Sequence, residues 1–372
     1  MANNTNLGAA KAAKNDEFYT QYADIQKEVN AYLEYNPDTF RDKTVLLPCD
    51  DPEWSNFTRF FAQNFERLGL KRLISTSYAV ESKKYKDYQP TLFETESPWF
   101  DADKTRIKGK IFELTRDINQ NGRIDIDDLE WHYLEGDGDF RSKEVCQLRD
   151  EADIIVTNPP FSLFREFVAW IFSAEKQCLI VGHQGAIGYK EVFPLIKENR
   201  LWLGMGFSGG AGHFFSPYED YAVAGDHKEG MIRVSGVTWF TNIDHGRRHN
   251  PLRLMTMKDN IRFGKHKDIS ERGYYYHYEN FDAIDVPYTD SIPSDYEGAM
   301  GVPITFLSKY CPEQFEIIGI AEGDSGKELG LKPYPRELKK LNKSLRDGQL
   351  YYIDENRIPQ KPYARILIRK KQ

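Results

Sequence analysis

The fold is indicated most clearly by Asp153-Ile154-Ile155-Val156-Thr157-Asn158-Pro159-Pro160-Phe161, where an apolar run leads directly into a turn with two prolines. Residues 152–157 form a short, mainly apolar run that is rich in β-branched side chains, which predicts a strand buried on both faces of a sheet. The prolines end this strand, since they lack the N–H group that a sheet ladder requires. Helical spacing of apolar residues then predicts a helix over residues 163–172.

The same alternation of strand and helix patterns runs through the first two thirds of the chain. The predicted strands are residues 44–47, 71–76, 152–157, 177–182 and one or two within 230–243, and the predicted helices are residues 16–33, 56–68 and 163–172. Gly69 ends the second of these helices. This order predicts an α/β fold with a parallel sheet covered by helices on both faces. A ligand in such a fold lies beyond the carboxyl ends of the strands.

The pattern and composition of the sequence change near residue 245, where short strand patterns, many tyrosines and scattered prolines begin. We therefore predict one domain over residues 1–245 and a mixed α+β region over residues 246–372. The second region contains 22 Lys and Arg against 18 Asp and Glu, a balance of +4, and the first has a balance of −11. The overall net charge of −7 therefore does not exclude a nucleic-acid partner.

Composition indicates a globular protein with ample core, since 40% of the 372 residues are hydrophobic and 29% are charged. No run of about 18 apolar residues occurs, and the N-terminal residues lack the apolar centre of a signal peptide. We therefore expect no membrane association and a cytoplasmic location. The four cysteines are far apart and form no Cys-x-x-Cys pair, which argues against a zinc site.

The turn formed by residues 158–161 offers acceptors and few donors. The side-chain oxygen of Asn158 and the main-chain carbonyl of Pro159 can each accept a hydrogen bond from an amine. An aromatic amine is a weak nucleophile because its lone pair is delocalised, and two acceptors stabilise the positive charge that develops as it reacts. Phe161 could stack on the ring that carries the amine. An ordinary strand-ending turn with a core phenylalanine is the alternative.

Asn158-Pro159-Pro160-Phe161 resembles the catalytic motif of S-adenosylmethionine-dependent methyltransferases that act on amino groups of DNA. Asp16-Glu17-Phe18-Tyr19-Thr20 and Gly301-Val302-Pro303-Ile304-Thr305-Phe306-Leu307 resemble the EcoRI-type adenine methyltransferase family in particular. The resemblance covers most of the chain from about residue 14. It implies a Rossmann-like methyltransferase domain followed by a target-recognition region.

The implied activity is methyl transfer from S-adenosyl-L-methionine to the exocyclic N6 amino group of adenine in duplex DNA, with the base flipped out. The resemblance also implies a bacterial or phage origin, a place on the nucleoid, and a cognate restriction endonuclease that acts separately. Two alternatives stay open. One is a protein-glutamine methyltransferase, which uses a similar tetrapeptide ending in Tyr, and the other is an inactive DNA-binding module with a methyltransferase-like fold.

The resemblance assigns roles to individual residues. Asn158, Pro159, Pro160 and Phe161 would hold the target amine and its ring. The residues implied in cofactor binding are Tyr19, Thr20, Pro48, Cys49, Asp50, Ser55, Asn56, Phe57, Asp139, Phe140 and Asn158. Among them, Asp50 can pair with the α-ammonium group of the cofactor, and Asp139 can accept a hydrogen bond from the amino group of the cofactor's adenine. The start of the helix after residue 55 can meet the cofactor's carboxylate.

One departure from common methyltransferases lies in the first strand-to-helix loop. The usual glycine-rich GxG is missing, and residues 49–57 contain no glycine at all. The EcoRI-type branch is similar in this respect, and the intact tetrapeptide at residues 158–161 argues against a degenerate domain.

Two further groups of residues are candidates for binding. Arg247, Arg248, Arg253 and Lys258 are the first candidates for DNA contacts, with plain surface charge as the alternative. Residues 117–128 fit the spacing of a calcium loop, with oxygen ligands at positions 1, 3 and 5, glycine at 6 and an acid at 12. An acidic turn is the alternative there, because the acid at position 12 is the short Asp128 and no second loop accompanies it. We assign no metal to the protein.

Overall fold

The computed structural model describes residues 19–50, 55–79, 95, 98–207, 210–215 and 231–371. Three parts of the sequence-based predictions lie outside these residues. They are Asp16-Glu17-Phe18 with the N-terminal head, residues 51–54 of the first strand-to-helix loop, and residue 230 at the start of the late strands.

The chain divides into two compact units. The first comprises Met1–Ile187 and Leu203–His245, and the second comprises Gly188–Trp202 and Gly246–Gln372. Residues 188–202 therefore group with the C-terminal part of the chain, although they precede residue 245 in the sequence.

The elements from residue 19 to residue 241 are strands of two to seven residues with helices between them. The strands are β1 (Tyr19–Thr20), β2 (Thr44–Leu47), β3 (Arg72–Ser77), β4 (Lys110–Leu114), β5 (Glu130–Tyr133), β6 (Ile154–Thr157), β7 (Gln177–His183), β8 (Trp202–Leu203), β9 (Ala211–Phe215), β10 (Ile232–Ser235) and β11 (Val237–Thr241). The helices of the first unit whose bounds lie within the described residues are α1 (Tyr22–Tyr35), α2 (Asn56–Gln63), α3 (Phe65–Leu68), α4 (Ala102–Ile107), α5 (Lys143–Glu151) and α6 (Phe164–Ser173).

The main sheet has the strand order β5-β4-β3-β2-β6-β7-β11-β8. Its centre, β3-β2-β6-β7, is parallel, which confirms the predicted α/β fold. Strands β4 and β5 are antiparallel to their neighbours and extend the sheet beyond what the sequence pattern predicted. Strand β11 is one of the predicted late strands, and it joins the sheet antiparallel to β7. Every residue of β2 and β6 is buried, as their uninterrupted apolar runs require. Because β2 lies between β3 and β6, the strand order reverses there and creates a topological switch point.

Three predicted elements differ from the structure. The first helix begins at Tyr22 instead of residue 16, because Tyr19 and Thr20 form β1 and pair with β9. The predicted helix 56–68 is interrupted at Asn64, and its last turn ends at Gly69 in the left-handed conformation with φ 64°. The late strands β10 and β11 belong to different sheets, since Gly236 with φ 73° separates them.

The core of the first unit lies between the main sheet and helices α1 to α3. Ile25, Val29 and Tyr32 of α1 are fully buried, in agreement with their helical spacing. Burial of each such side chain stabilises the fold by roughly 1.5–3 kcal/mol. Glu28 is also buried on this face, where it accepts hydrogen bonds from Tyr32 Oη at 2.8 Å and from the Met205 N–H at 2.9 Å. These two donors compensate for the loss of water around the buried carboxylate.

The second unit is mixed α+β, as the sequence texture predicted. Its strands are β12 (Ala283–Asp285), β13 (Ala299–Pro303), β14 (Phe315–Ala321), β15 (Tyr352–Ile353), β16 (Pro359–Gln360) and β17 (Arg365–Lys370), and its helices are α7 (Phe193–Lys197), α8 (Met257–Phe263), α9 (Lys267–Arg272) and α10 (Gly323–Glu328). A four-stranded sheet has the order β12-β13-β17-β14, and β15 and β16 form a separate pair. Among the helices that the structure describes, none is both long enough and apolar enough to cross a membrane.

Candidate active site

A cleft lies at the switch point of the main sheet, beyond the carboxyl ends of β2 and β6. This is the position where open α/β sheets bind their ligands. The residues that line the cleft are Tyr19, Thr20, Cys49, Asp50, Ser55, Phe57, Asn158 and Pro160. All eight are among the residues that the sequence singled out, and they come from four separate stretches of the chain.

Cys49, at the start of the loop after β2, has a backbone conformation that is typical of glycine. Cys49 has φ 67°, in the left-handed region that glycine enters without strain. A residue with a Cβ pays about 1–2 kcal/mol for this conformation. Two contacts hold it: the Cys49 N–H donates to Thr76 Oγ1 at 3.4 Å, and Thr157 Oγ1 donates to the Pro48 carbonyl at 2.9 Å. The second contact also ties the ends of β2 and β6 together.

Asp50 places a carboxylate inside the cleft. Asp50 is only 6% exposed. Its N–H donates to the Thr76 carbonyl at 2.9 Å, and its Oδ1 accepts a hydrogen bond from Ser55 Oγ at 2.7 Å. Ser55 Oγ in turn accepts the Phe57 N–H at 3.1 Å and so caps the start of α2. A buried carboxylate beside a helix N-terminus suits a ligand that carries both an ammonium and a carboxylate group.

Thr20 connects the first stretch of the site to the turn at residue 158. It is 2% exposed; its carbonyl accepts Asn56 Nδ2 at 2.8 Å, and its Oγ1 accepts Asn158 Nδ2 at 3.3 Å. Since the amide nitrogen of Asn158 faces Thr20, the amide oxygen points in another direction. The contact therefore sets which atom of Asn158 can accept a hydrogen bond from a substrate.

The rest of the tetrapeptide forms the passage from β6 to α6. The Pro160 carbonyl accepts the Leu163 N–H at 2.9 Å, which starts a 3₁₀ turn over Phe161–Leu163. Pro159 is buried, and Phe161 is 4% exposed and packs in the main core instead of lining the cleft. The stacking of Phe161 on a substrate ring stays a prediction, and it requires the ring to leave the core.

Asp139 and Phe140 lie beside the end of β3 and do not line the cleft. Gly138 fixes their place, because it has φ 85° and a Cβ on it would collide with the Ser77 carbonyl oxygen. Phe140 is 2% exposed, with its ring centroid 5.1 Å from that of Phe167.

The carboxylate of Asp139 already has several hydrogen-bond donors. Arg141 donates to it from its backbone N–H at 2.8 Å, from Nε at 2.9 Å and from Nη2 at 2.6 Å, and Tyr78 Oη donates at 2.8 Å. The hydrogen bonds from the Arg141 side chain lower the pKa of Asp139 to about 2. A carboxylate has about four acceptor positions, so a ligand amino group at Asp139 would have to exchange with one of these donors.

Sequence reasoning missed Tyr78, Thr76 and Arg141, which hold the loops of the site in place. Tyr78 follows directly after β3 and hydrogen-bonds to Asp139, and Thr76 near the end of the same strand supports Cys49 and Asp50. The signal that could have found both is their position, since polar residues at the carboxyl end of a parallel strand lie next to the ligand edge.

The four DNA-contact candidates have different environments in the second unit. Arg253 and Lys258 are exposed, and Arg247 is half-buried. Arg248 differs from the other three candidates, because it is 6% exposed, its guanidinium lies 3.5 Å from the centre of the Trp202 ring, and it hydrogen-bonds to Asn199. A DNA contact by Arg248 stays a prediction, and it requires the guanidinium to leave this stacked position.

In the calcium-like loop, the acidic side chains accept hydrogen bonds from backbone N–H groups of the same loop. Asp117 Oδ2 accepts the Gly122 N–H at 2.8 Å, and Asp128 Oδ1 accepts the N–H groups of Ile118 and Asn119 at 2.9 and 3.0 Å. Within the described part of the chain, no group of three or more His, Cys, Asp or Glu residues is placed to hold a metal ion. The acidic-turn alternative accounts for these contacts.

A sheet with a parallel centre, a buried acid after one central strand and an Asn-Pro-Pro-Phe turn after the neighbouring strand is the arrangement of a Rossmann-like methyltransferase acting on an amino group. The family model described as adenine-specific methyltransferase EcoRI matches residues 6–371, and the chain belongs to that family.

Curated relatives agree with this membership. The chain is 41% identical over 353 residues to type II methyltransferase M.EcoRI of Escherichia coli, a match that covers 92% of this chain and 98% of that protein. It is 35% identical to type II methyltransferase M.MpnI of Mycoplasma pneumoniae over 83% of each chain, and 31% identical to type II methyltransferase M.MgeORF184P of Mycoplasma genitalium over 98% of each. No solved structure matches the chain significantly.

These matches confirm the resemblance that the sequence motifs indicated. The protein is a DNA adenine methyltransferase. The two alternatives, a protein-glutamine methyltransferase and an inactive DNA-binding module, are therefore wrong.

Proposed function

We propose that this chain transfers a methyl group from S-adenosyl-L-methionine to the exocyclic N6 amino group of adenine within a specific site in duplex DNA. The observation that supports this most is the orientation of Asn158, whose amide nitrogen faces Thr20 at 3.3 Å at the edge of the cleft. Because a stacked adenine cannot reach such a cleft, the base has to flip out of the duplex at a cost of about a few kcal/mol.

S-adenosyl-L-methionine, when bound, supplies an electrophilic methyl group carried on a sulfonium sulfur. Asp50, held by Ser55 Oγ at 2.7 Å, would bind the α-ammonium group, and the N-terminus of α2 would attract the carboxylate. Tyr19, Thr20, Cys49, Phe57 and Asn158 would form the walls of the cofactor site, with Pro48 and Asn56 next to them in the chain. Asp139 and Phe140 stay in the proposal as residues of the neighbouring strand end, with Asp139 exchanging one of its present donors for the adenine amino group.

The chain's own contribution to the reaction is to hold the target amine. Asn158 Oδ1 and the Pro159 carbonyl would each accept one N–H of the adenine amino group, which favours a pyramidal nitrogen with its lone pair directed at the methyl group. The same two oxygens stabilise the positive charge on nitrogen in the transition state. As the N–C bond forms, the bond between the methyl carbon and the sulfonium sulfur would break with its electron pair staying on sulfur, and one N–H proton then leaves to water. Pro160 and Phe161 shape the turn that presents these acceptors.

We assign cofactor binding and catalysis to the first unit, within residues 1–245, and DNA recognition to the region 246–372. The balance of +4 in the second region and the exposure of Arg253 and Lys258 support this division. The relatives are named type II methyltransferases. We therefore expect a cognate restriction endonuclease as a separate protein, and a place of action on the nucleoid in the cytoplasm of a bacterium.

The direct test is Asn158→Ala with a labelled methyl donor and duplex DNA. We expect methyl transfer to fall by about 10²–10³-fold or more, as for the loss of one transition-state hydrogen bond, while the Kd for S-adenosyl-L-methionine in calorimetry stays within about threefold. Asn250→Ala, at an exposed asparagine of the second unit, is the matched control and should behave as the unaltered protein. Full activity of Asn158→Ala on duplex DNA contradicts the assignment.

Methylation-sensitive sequencing of DNA from a host that expresses the chain tests the modified base. We expect N6-methyladenine at one recurrent sequence context, which also identifies the recognised site. Modification of another base, or N6-methyladenine spread without a context, contradicts a site-specific adenine methyltransferase.

A further inference from the structure

One aromatic side chain of the second unit lies in water at the end of a helix. Phe263, the last residue of α8, is 74% exposed, a larger fraction than any other large hydrophobic side chain in the described part of the chain. A single exposed aromatic ring is common on protein surfaces, so its surroundings decide what the ring can do.

Several cations lie close to Phe263 in the sequence. Residues 253–272 contain six Lys and Arg against three Asp and Glu. Arg253, Lys258, Arg262 and Lys267 are exposed, and none of them forms an ion pair with an acid of the described residues. Lys258 and Arg262 are four residues apart on α8 and therefore share one helical face. An unburied ring beside free cations fits a polyanion with apolar, stackable groups.

The segment that carries Phe263 is held from its inner side. Asn260 is 2% exposed and donates from Nδ2 to the Met255 and Ser291 carbonyls at 3.4 and 3.3 Å. Thr256 Oγ1 accepts the Asp259 N–H at 3.1 Å and caps the start of α8.

The chain leaves α8 immediately after Phe263. Gly264 is required there, because a Cβ on it would collide with the Asn260 carbonyl oxygen. In the following turn the His266 ring stacks on Tyr288 with centroids 3.6 Å apart, and His266 Nε2 lies 2.7 Å from Asp290 Oδ1. The exposed ring thus stands on an anchored turn, which keeps its position defined.

We propose that α8 docks on duplex DNA, that Phe263 inserts between stacked base pairs, and that Lys258 and Arg262 bind the flanking phosphates. An aromatic ring gains in the base stack the contacts that it lacks in water, and inserted apolar side chains unstack and kink DNA. The neighbouring cations supply attraction and fix the orientation of the helix on the duplex. The inference rests on the proposed function, because it requires DNA as the partner.

The test uses the full chain and duplexes that carry the site found by sequencing, with 2-aminopurine placed at each position in turn. The unaltered protein should raise the fluorescence at the flipped base and at one further base step. Phe263→Ala should lose the second signal, keep the first, and bind the duplex about 5- to 150-fold more weakly, the range that stacking of one base corresponds to. Phe263→Trp should restore both signals.

Salt dependence separates the ring from the cations. Lys258→Gln and Arg262→Gln should each lower the slope of log K against log salt by about 0.9 and keep the second fluorescence signal, whereas Phe263→Ala should leave the slope unchanged. Tyr363→Ala is the matched control, since Tyr363 is 72% exposed in the same unit, and it should change neither property.

One outcome would contradict the insertion of Phe263, and a different outcome would contradict the proposed function. If Phe263→Ala binds DNA as tightly as the unaltered protein with the same fluorescence pattern, Phe263 is not inserted and the inference is wrong. If the unaltered protein itself neither methylates nor binds any of the duplexes, the proposed function fails instead.

Discussion

Arg141 binds Asp139 through two parallel hydrogen bonds, from Nε to Oδ1 at 2.9 Å and from Nη2 to Oδ2 at 2.6 Å. Its remaining nitrogen, Nη1, donates to Glu166 Oε2 at 2.8 Å. Glu166 lies in the first turn of α6, the helix that follows the Asn-Pro-Pro-Phe turn. Arg141 therefore links the loop at the end of β3 to the helix behind the proposed catalytic turn. Bidentate geometry of this kind is specific to arginine, because lysine cannot form the planar fork.

The Arg141–Asp139 pair predicts how stability depends on acid. The hydrogen bonds from Arg141 lower the pKa of Asp139 to about 2, below the value of about 3.9 for a free aspartate. A lowered pKa means that the pair stabilises the folded state fully above about pH 4 and loses this effect as the pH falls towards 2. We expect Arg141→Gln to begin acid unfolding at a higher pH, measured by circular dichroism. Arg106→Gln, at an exposed arginine of α4, is the control, and equal midpoints for the two variants would refute the role of the pair.

Thr20 offers a test of how Asn158 is oriented. Thr20→Val keeps the shape of the side chain but removes the Oγ1 that accepts Asn158 Nδ2 at 3.3 Å, whereas Thr20→Ser keeps the oxygen. We expect Thr20→Val to lower kcat by roughly fivefold, as for the loss of one hydrogen bond of about 1 kcal/mol, and Thr20→Ser to retain most of the activity. Steady-state methyl transfer at saturating DNA measures this. A similar kcat for the two variants would mean that Thr20 does not orient the amide.

The sequence predicted the cleft because its residues follow short, fully buried strands. Apolar runs at residues 44–47 and 152–157 identify two central strands by local composition alone, and the carboxyl ends of neighbouring parallel strands meet at one edge. Asp50 and Asn158 could therefore be placed together before any coordinates. The left-handed conformation of Cys49 could not be predicted in the same way, because residues 49–57 contain no glycine to indicate it.

The remaining features depend on pairings between distant parts of the chain. Tyr78 and Asp139 are 61 residues apart, and no local pattern indicates that their side chains meet. Likewise, Arg248 looks like any surface cation until Trp202 and Asn199 enclose it. Strand β1 is too short to show a period, and it exists because β9 pairs with it from almost 200 residues away.

The cysteines provide a chemical test of the cofactor cleft. Cys178 is fully buried, which raises its pKa to about 12, so it has almost no reactive thiolate at pH 8. Cys49 and Cys146 are half-buried. We expect iodoacetamide to modify these two well before Cys178, as followed by mass spectrometry.

S-adenosyl-L-methionine should then slow the modification of Cys49, which lines the cleft, and leave the rate at Cys146 unchanged. Cys146 is the internal control in the same molecule. Equal rates at Cys49 with and without the cofactor would place the cofactor away from the loop after β2.

A buried ion pair predicts the weak point of the second unit. Arg365 Nε lies 3.0 Å from Asp285 Oδ1, and Tyr278 Oη donates to the same oxygen at 2.5 Å, with side-chain exposures of 9% for Arg365 and 5% for Asp285. Asp285→Ala would leave a buried guanidinium without its counter-ion, and we expect the free energy of unfolding to fall by about 3–5 kcal/mol. Denaturant titration measures this loss.

Asp282→Ala is the matched control, because the Asp282 side chain is fully exposed and its contact with His277 is a surface pair. Loss of this pair should lower the free energy of unfolding by less than about 1 kcal/mol. Similar losses of stability for the two variants would show that the Asp285–Arg365 pair does not stabilise the unit. Replacement of both Asp285 and Arg365 by apolar residues should recover most of the lost free energy of unfolding, because no unpaired charge then stays buried.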